Sequence, residues 1–188
     1  MGIIFFEKRA STAQIGISAK PDYFLQLSPI GKVPVLKEDD GTVIWDSSLI
    51  AEYIEQTYPH PHLCPQEFHQ RLACRKWEEM ADTLGDTIIN VWIIGLLDGG
   101  EPSQYRSLLK QRIERLVPTF EAKLGQTRYL LGGESWSMAD IAALCSFGYY
   151  DLRLGPAWQD RYPYLRDWFE RLHQIDSVKA TIPTSSLN

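Results

Sequence analysis

The spacing of apolar residues changes near residue 60, and this change limits what the chain can fold into. Before it, short apolar runs alternate with turn signals; after it, apolar residues recur at three- and four-residue steps over long spans, as on the buried face of a helix. Three prolines fall within the eight residues 58–65, which is typical of a linker between domains. The sequence therefore predicts a small α/β domain over residues 1–58, a linker over 59–65, an all-α domain over 66–183 and a tail over 184–188.

Two apolar runs in the first domain, residues 33–36 and 42–45, are separated by a polar stretch that ends in Asp40-Gly41. This pattern predicts a β-hairpin. Pro34 interrupts the first run and cannot donate a backbone hydrogen bond. It is compatible with an ordinary edge strand, or with a cis Val33–Pro34 bond that turns the backbone groups of Val33 towards an extended peptide ligand.

Asp46 and Ser47 follow the second run, at the start of a predicted helix over residues 47–57. On the residues alone, a plain helix N-cap is one interpretation of this pair. The other is an α-amino-acid site, in which the helix N-terminus and the Ser47 hydroxyl hold a carboxylate while Asp46 holds the ammonium group.

The second domain shows one long apolar stripe from Gln66 onwards, a second helical stripe over residues 109–124, and further helix starts near Ser137 and Pro163. This predicts a bundle of four or five helices. The Ser137-x-x-Asp140 pattern is typical of a capping box, and we interpret it as structural and not catalytic.

Charge and cysteine content exclude several classes of function. The chain has 188 residues and a net charge of −5, so we expect neither a nucleic-acid ligand nor binding to an anionic membrane surface. It has no apolar run of about 18 residues and no basic segment ahead of its first apolar residues, as a spanning helix or a signal peptide would have. Cys64, Cys74 and Cys145 form no CxxC and no zinc-like spacing, which predicts a cytoplasmic chain without a metal.

Three motifs resemble the glutathione-transferase superfamily and occur in its order. Residues 20–36 are similar to its second helix and third strand, 46–53 to the junction between its fourth strand and third helix, and 137–142 to the capping box of its helical domain. The resemblance extends over about residues 15–183. It implies a thioredoxin-like N-terminal domain, here shortened, joined to an all-α helical-bundle C-terminal domain.

The resemblance also implies a site for glutathione. Val33, beside a cis Pro34, would pair with the cysteinyl residue, and Asp46 and Ser47 would hold the γ-glutamyl end. Lys20 would meet the glycyl carboxylate, although its spacing is equally compatible with a solvated lysine.

Family resemblance further implies a small hydrophobic electrophile as second substrate and a homodimer as the assembly. The apolar stripe that carries Trp77 and Trp92 also favours a dimer, because a large exposed apolar patch usually marks an interface.

Too few residues precede the first motif for the strand, helix and strand with which the family begins. In one register, which we prefer, residues 4–8 end the first helix and 13–17 form the second strand, so the first strand and the catalytic residue are missing. In the other, residues 2–6 form the first strand, Ser11 or Thr12 opens a shortened helix, and the second strand is lost. A start codon assigned too late would explain the same pattern.

The chemistry of a thiol makes this departure important for function. An unassisted thiol is mostly protonated at neutral pH, so a transferase needs a group that stabilises the thiolate. The sequence assigns no catalytic residue, and residues 1–20 lack the cysteine that a thiol-disulfide reductase of the omega type would use. Two hypotheses stay open: a glutathione transferase of weak activity, and a non-catalytic binding or interaction module of the same fold.

Overall fold

The computed structural model describes residues 20–58, 61–99 and 103–182, and these form two compact units. The first unit ends at His62 and the second begins at Leu63. The first is a small α/β unit and the second is entirely helical, so the predicted fold class is confirmed.

The first unit contains a short helix, a two-stranded hairpin and a second helix. The antiparallel register places Val35 opposite Trp45, and the turn is closed by hydrogen bonds that include Glu38 N–H to the Thr42 carbonyl at 2.9 Å. Gly41 has φ +89°, a conformation that favours glycine, which explains the Asp-Gly signal of the sequence. The elements are α1 (Asp22–Leu27), β1 (Val35–Lys37), β2 (Val43–Trp45) and α2 (Ser47–Thr57).

Burial in this unit follows the helical spacing. Phe24 of α1 and Ile50 and Ala51 of α2 are buried, at 4%, 9% and 5% exposure. Glu55, one turn after Ala51, is also buried, and its Oε1 lies 3.0 Å from Nδ1 of His62. A carboxylate in such a position needs a polar partner, because burying an unpaired charge is costly.

The second unit is built on three long helices, and the longest packs against the other two. The longest, α3 (Phe68–Leu97), packs against α5 (Met138–Leu154) and α4 (Gln104–Leu124), and α7 (Pro163–Leu172) packs against α4. The helices predicted after Gln66, around residues 109–124, near Ser137 and near Pro163 are all present, whereas two four-residue helices had no periodic signal. These two short helices are α6 (Trp158–Arg161) and α8 (Asp176–Lys179).

A chain of aromatic rings runs through the core of this unit. The Trp77 and Phe120 ring centroids are 5.2 Å apart, Phe120 and Phe147 5.3 Å, Phe147 and Trp158 5.0 Å, and Trp158 and Phe169 5.4 Å. Each pair joins different helices, so the rings link α3, α4, α5, α6 and α7. Edge-on and tilted ring pairs at these distances add to the stability that burial provides.

The predicted capping box at the start of α5 is confirmed. The Ser137 backbone N–H donates to Asp140 Oδ2 at 3.0 Å, and the Leu130 N–H donates to Oδ1 at 3.0 Å. Through these two hydrogen bonds the carboxylate of Asp140, which is fully buried, connects the start of α5 to the loop before it.

By length and composition alone, α3 is apolar enough to cross a bilayer, and 28% of its apolar 18-residue window is buried within the protein. Asp82 and Asp86 divide its apolar residues into shorter runs in the sequence. In the structure Ala81, Leu84 and Ile88 are fully buried, since α3 is the central helix of the bundle.

Candidate functional site

The open end of the hairpin brings four of the predicted site residues to one edge of the first unit. The strand ladder ends at the Val35–Trp45 pair. Val33 and Pro34 enter one strand there, and Asp46 and Ser47 leave the other. The Val33–Pro34 peptide bond is cis, as one of the two interpretations of Pro34 predicts.

Val33 lies just outside the ladder and is half-buried. Among residues 20–58, 61–99 and 103–182, its backbone N–H and carbonyl have no hydrogen-bond partner. Backbone groups at a strand end are able to pair with an extended ligand, in the manner of strand addition.

Asp46 has an unusual backbone conformation, with φ +81° and ψ 133°. It is the one non-glycine residue with positive φ in the described part of the chain. Its side chain is exposed, and Oδ1 accepts the Ser48 N–H at 2.9 Å, which caps α2. A residue held in such a region costs about 1–3 kcal/mol, and such residues cluster at functional sites. Nothing in the sequence signalled this conformation, because aspartate is also a common N-cap without it.

Ser47 is the first residue of α2 and is exposed. The first intrahelical hydrogen bond joins Ile50 N–H to the Asp46 carbonyl at 3.0 Å. The N–H groups of a first helical turn have no partner within the helix and carry the positive end of its dipole. The carboxylate of Asp46 and the donors of this turn therefore provide opposite charges next to each other, which suits a zwitterion.

The side chain of Lys20 contacts the turn that leads into Val33. Its ammonium group donates to the carbonyl of Gly31, which has φ +61°. Ser28, fully buried, braces the same turn by donating to the Lys32 carbonyl at 3.0 Å. The ammonium group of Lys20 therefore contacts the turn beside Val33, and its role towards a ligand stays a prediction.

The hydroxyl groups considered for thiol activation, Ser11 and Thr12, lie outside the described residues, as do both registers of the N-terminal segment.

A second group of reactive side chains lies in the helical unit, and sequence reasoning missed it. The Sγ atoms of Cys64 and Cys74 and a carboxylate oxygen of Glu78 all lie within 4.8 Å of one another. Cys74 and Glu78 are one turn apart on α3, while Cys64 precedes the helix. The ten-residue step between the cysteines matches no common metal motif, so only the folded chain shows the group.

The contact between the two thiols shifts their pKa values in opposite directions. The contact with Cys74, together with burial, raises the pKa of Cys64. The hydrogen bond from the Cys64 thiol, supported by the Ala139 N–H, lowers the pKa of Cys74 in spite of its burial. Arg75 Nη1 lies 3.1 Å from Glu78 Oε2. Cys145 is on α5 outside this group, and burial raises the pKa of its thiol.

Comparisons with known proteins agree across both units. Family models described as the glutathione S-transferase N-terminal domain and C-terminal domain match residues 10–57 and 73–171. The uncharacterized GST-like protein YibF of Escherichia coli (strain K12) is 32% identical over 166 residues, covering 84% of this chain and 78% of YibF.

Two solved structures resemble the chain closely. A glutathione S-transferase from Methylobacillus flagellatus with glutathione bound has a TM-score of 0.80 at 31% identity, and the match covers 86% of this chain and 80% of that one. One from Methylobacterium radiotolerans, in complex with glutathione sulfonate, has a TM-score of 0.79 at 25% identity, over 85% and 76% of the two chains.

Proposed function

Because this chain belongs to the glutathione S-transferase superfamily, we propose that it binds glutathione at the open end of its hairpin and transfers the glutathione thiol to a small hydrophobic electrophile. The observation that carries the proposal is the conformation of Asp46. Its positive φ sets an exposed carboxylate beside the N-terminus of α2, at the edge where Val33 leaves the ladder. Solved structures of similar proteins, one with glutathione and one with glutathione sulfonate bound, support the choice of ligand.

Each part of glutathione has a proposed partner. The γ-glutamyl ammonium pairs with Asp46, and its α-carboxylate accepts from the Ser47 hydroxyl and the first turn of α2. The cysteinyl backbone pairs with Val33. The glycyl carboxylate meets the ammonium group of Lys20, which keeps donors beyond the one it gives to Gly31.

Thiol transfer is the second part of the proposal, and we expect it to be slow. A thiol with its ordinary pKa is only a few per cent ionised at neutral pH, so loss of an activating donor costs about 10- to 100-fold in rate.

Conjugation of glutathione to a generic aromatic electrophile tests this, with Ser11→Ala and Thr12→Ala alongside. Strong activity that collapses in Ser11→Ala supports the register in which Ser11 opens the first helix; complete inactivity with intact binding supports the non-catalytic module.

We also propose a cytoplasmic homodimer. The sequence argument for an uncovered stripe at Trp77 and Trp92 is weakened, because Trp77 packs on Phe120 and the Arg153 guanidinium lies 4.1 Å from the Trp92 ring. The support comes instead from Phe68 and Leu72, one turn apart on α3 and exposed at 69% and 57%.

Calorimetric titration with glutathione tests the binding site. Asp46→Asn keeps an oxygen to accept the Ser48 N–H but removes the charge, and we expect affinity to fall by about 1–3 kcal/mol, the cost of an unpaired charged group. Asp40→Asn is the matched control, since its Oδ1 also accepts a backbone N–H two residues on, from Thr42 at 2.8 Å. Cysteinylglycine, which lacks the γ-glutamyl group, should bind both aspartate variants and the parent equally weakly. Equal glutathione affinity in the parent and Asp46→Asn would exclude the assigned role of Asp46.

A further inference from the structure

We propose that Cys64, Cys74 and Glu78 form a binding site for a thiophilic divalent cation of the zinc type. The site lies within the helical unit and is independent of the glutathione site. Two thiolates and a carboxylate are ligands that Zn²⁺ takes in proteins.

The geometry of the group suits chelation of one ion. Its three ligand atoms lie within 4.8 Å of one another. Cys74 and Glu78 are four residues apart on α3, a spacing that places both side chains on one face of a helix. Cys64 comes from the segment before α3, so a bound ion would tie that segment to the helix.

All three ligands are buried, with exposures of 3% for Cys64, 0% for Cys74 and 5% for Glu78. Their ligand atoms are therefore largely removed from competing water. The described residues contribute three ligands, which leaves the fourth position of a tetrahedral ion to water or another small ligand.

Charge balance favours a divalent ion at this position. Two thiolates and the Glu78 carboxylate carry three negative charges, and Arg75, 3.1 Å from Glu78, carries one positive charge. A divalent cation brings the group to neutrality, which is the condition under which buried charges are tolerated. A monovalent ion would leave a net negative charge.

Zinc titration of the full chain tests the site. The protein is stripped with a chelator, kept reduced with a phosphine, and titrated against a chromogenic zinc chelator. We expect one zinc per chain, and at least about a 10- to 100-fold weaker affinity in Cys74→Ser, Cys64→Ser and Glu78→Gln. Cys145→Ser is the matched control, a thiol on α5 outside the group, and should bind zinc like the parent.

A measurement on the unmodified chain guards against variants that fail to fold. With Co²⁺ as the probe, thiolate ligands give a sulfur-to-metal charge-transfer band in the near ultraviolet. The proposal is overturned if Co²⁺ gives no such band, or if a correctly folded Cys74→Ser binds zinc as tightly as the parent.

Discussion

The indole Nε1 of Trp168 donates a 3.0 Å hydrogen bond to Oδ1 of Asp140, and both side chains are buried. The bond joins α7 to the start of α5. With the Leu130 and Ser137 N–H groups and the Ser137 hydroxyl at 2.9 Å, Asp140 accepts four hydrogen bonds inside the core.

Removal of this carboxylate should destabilise the helical unit strongly. Asp140→Ala leaves several buried donors without a partner, and we expect a loss of about 3–5 kcal/mol in the free energy of unfolding. Urea denaturation followed by circular dichroism measures it. Asp167→Ala is the control, because Asp167 forms an exposed pair with Arg166 and its removal should cost less than about 1 kcal/mol. Equal effects of the two changes would contradict the role given to Asp140.

Ser146 and Gly85 should be coupled, because α3 and α5 approach closely where they meet. The Ser146 hydroxyl donates to the Ala81 carbonyl at 2.7 Å. A Cβ added at Gly85 would lie 3.2 Å from the hydroxyl oxygen of Ser146. We expect Gly85→Ala to give no gain in stability alone, but about 0.5–1 kcal/mol in a Ser146→Ala background, where helix propensity acts without the close contact. A double-mutant cycle by urea denaturation measures the coupling. A gain of the same size in both backgrounds would show that the hydroxyl does not restrict position 85.

Asp46→Gly should separate stability from binding. Glycine adopts the positive φ readily, and glycine at an N-cap costs only a few tenths of a kcal/mol, so relief of about 1 kcal/mol or more of strain leaves the variant at least as stable as the parent. Glutathione affinity should nevertheless fall, since the carboxylate is gone. Thermal melting and calorimetry on the same preparation measure both quantities. A clear loss of stability would mean that Asp46 serves mainly as a cap.

The start of α3 should respond to acid through Glu67. Its carboxylate accepts the N–H groups of His69 at 3.0 Å and Gln70 at 2.8 Å, and these bonds lower its pKa below the ordinary value near 4.5. A lowered pKa in the folded state stabilises the protein above the ordinary glutamate pKa, and this contribution disappears as the pH falls through the folded pKa. We therefore expect the parent to be more stable than Glu67→Gln at neutral pH, with the difference vanishing in acid. Glu134→Gln, in an exposed loop, controls for the change in net charge. A stability difference between the parent and Glu67→Gln that does not depend on pH would contradict the role given to the Glu67 carboxylate.

The proposed homodimer should depend on the first turns of α3. Phe68→Ser with Leu72→Ser removes two exposed apolar side chains from one helix face, and we expect the dimer to dissociate in sedimentation at low micromolar concentration. Leu96→Ser with Leu97→Ser removes side chains of comparable exposure, 63% and 79%, from the other end of the helix and should leave the dimer intact. A parent chain that sediments as a monomer would exclude the assembly itself.

Elements with a strong periodic signal or a specific turn could be predicted from the sequence. The hairpin around Gly41, helix α2 and the Ser137–Asp140 capping box all follow from local rules, because each depends on residues within a few positions of one another. The short helix α6 could not be predicted, since four residues carry no period.

The candidate site was predictable in composition but not in conformation. The sequence places Val33 and Asp46 near a hairpin end. The positive φ of Asp46 depends on how β2 joins α2, and it cannot be predicted from the residue type, because aspartate is also a common N-cap with ordinary φ. The Cys64, Cys74 and Glu78 group was missed for another reason. Its members meet only after the segment before α3 folds back on the helix, and no local pattern encodes that contact.

The distribution of tryptophans between the two units determines which structural changes the intrinsic fluorescence of this protein would report. The helical unit holds five of the six tryptophans, which are Trp77, Trp92, Trp136, Trp158 and Trp168. Trp45 is the sixth and stands directly before Asp46 in the first unit. Intrinsic fluorescence therefore reports mainly on the folding of the helical unit. Ligand binding at the hairpin end would change the emission of one tryptophan out of six, Trp45.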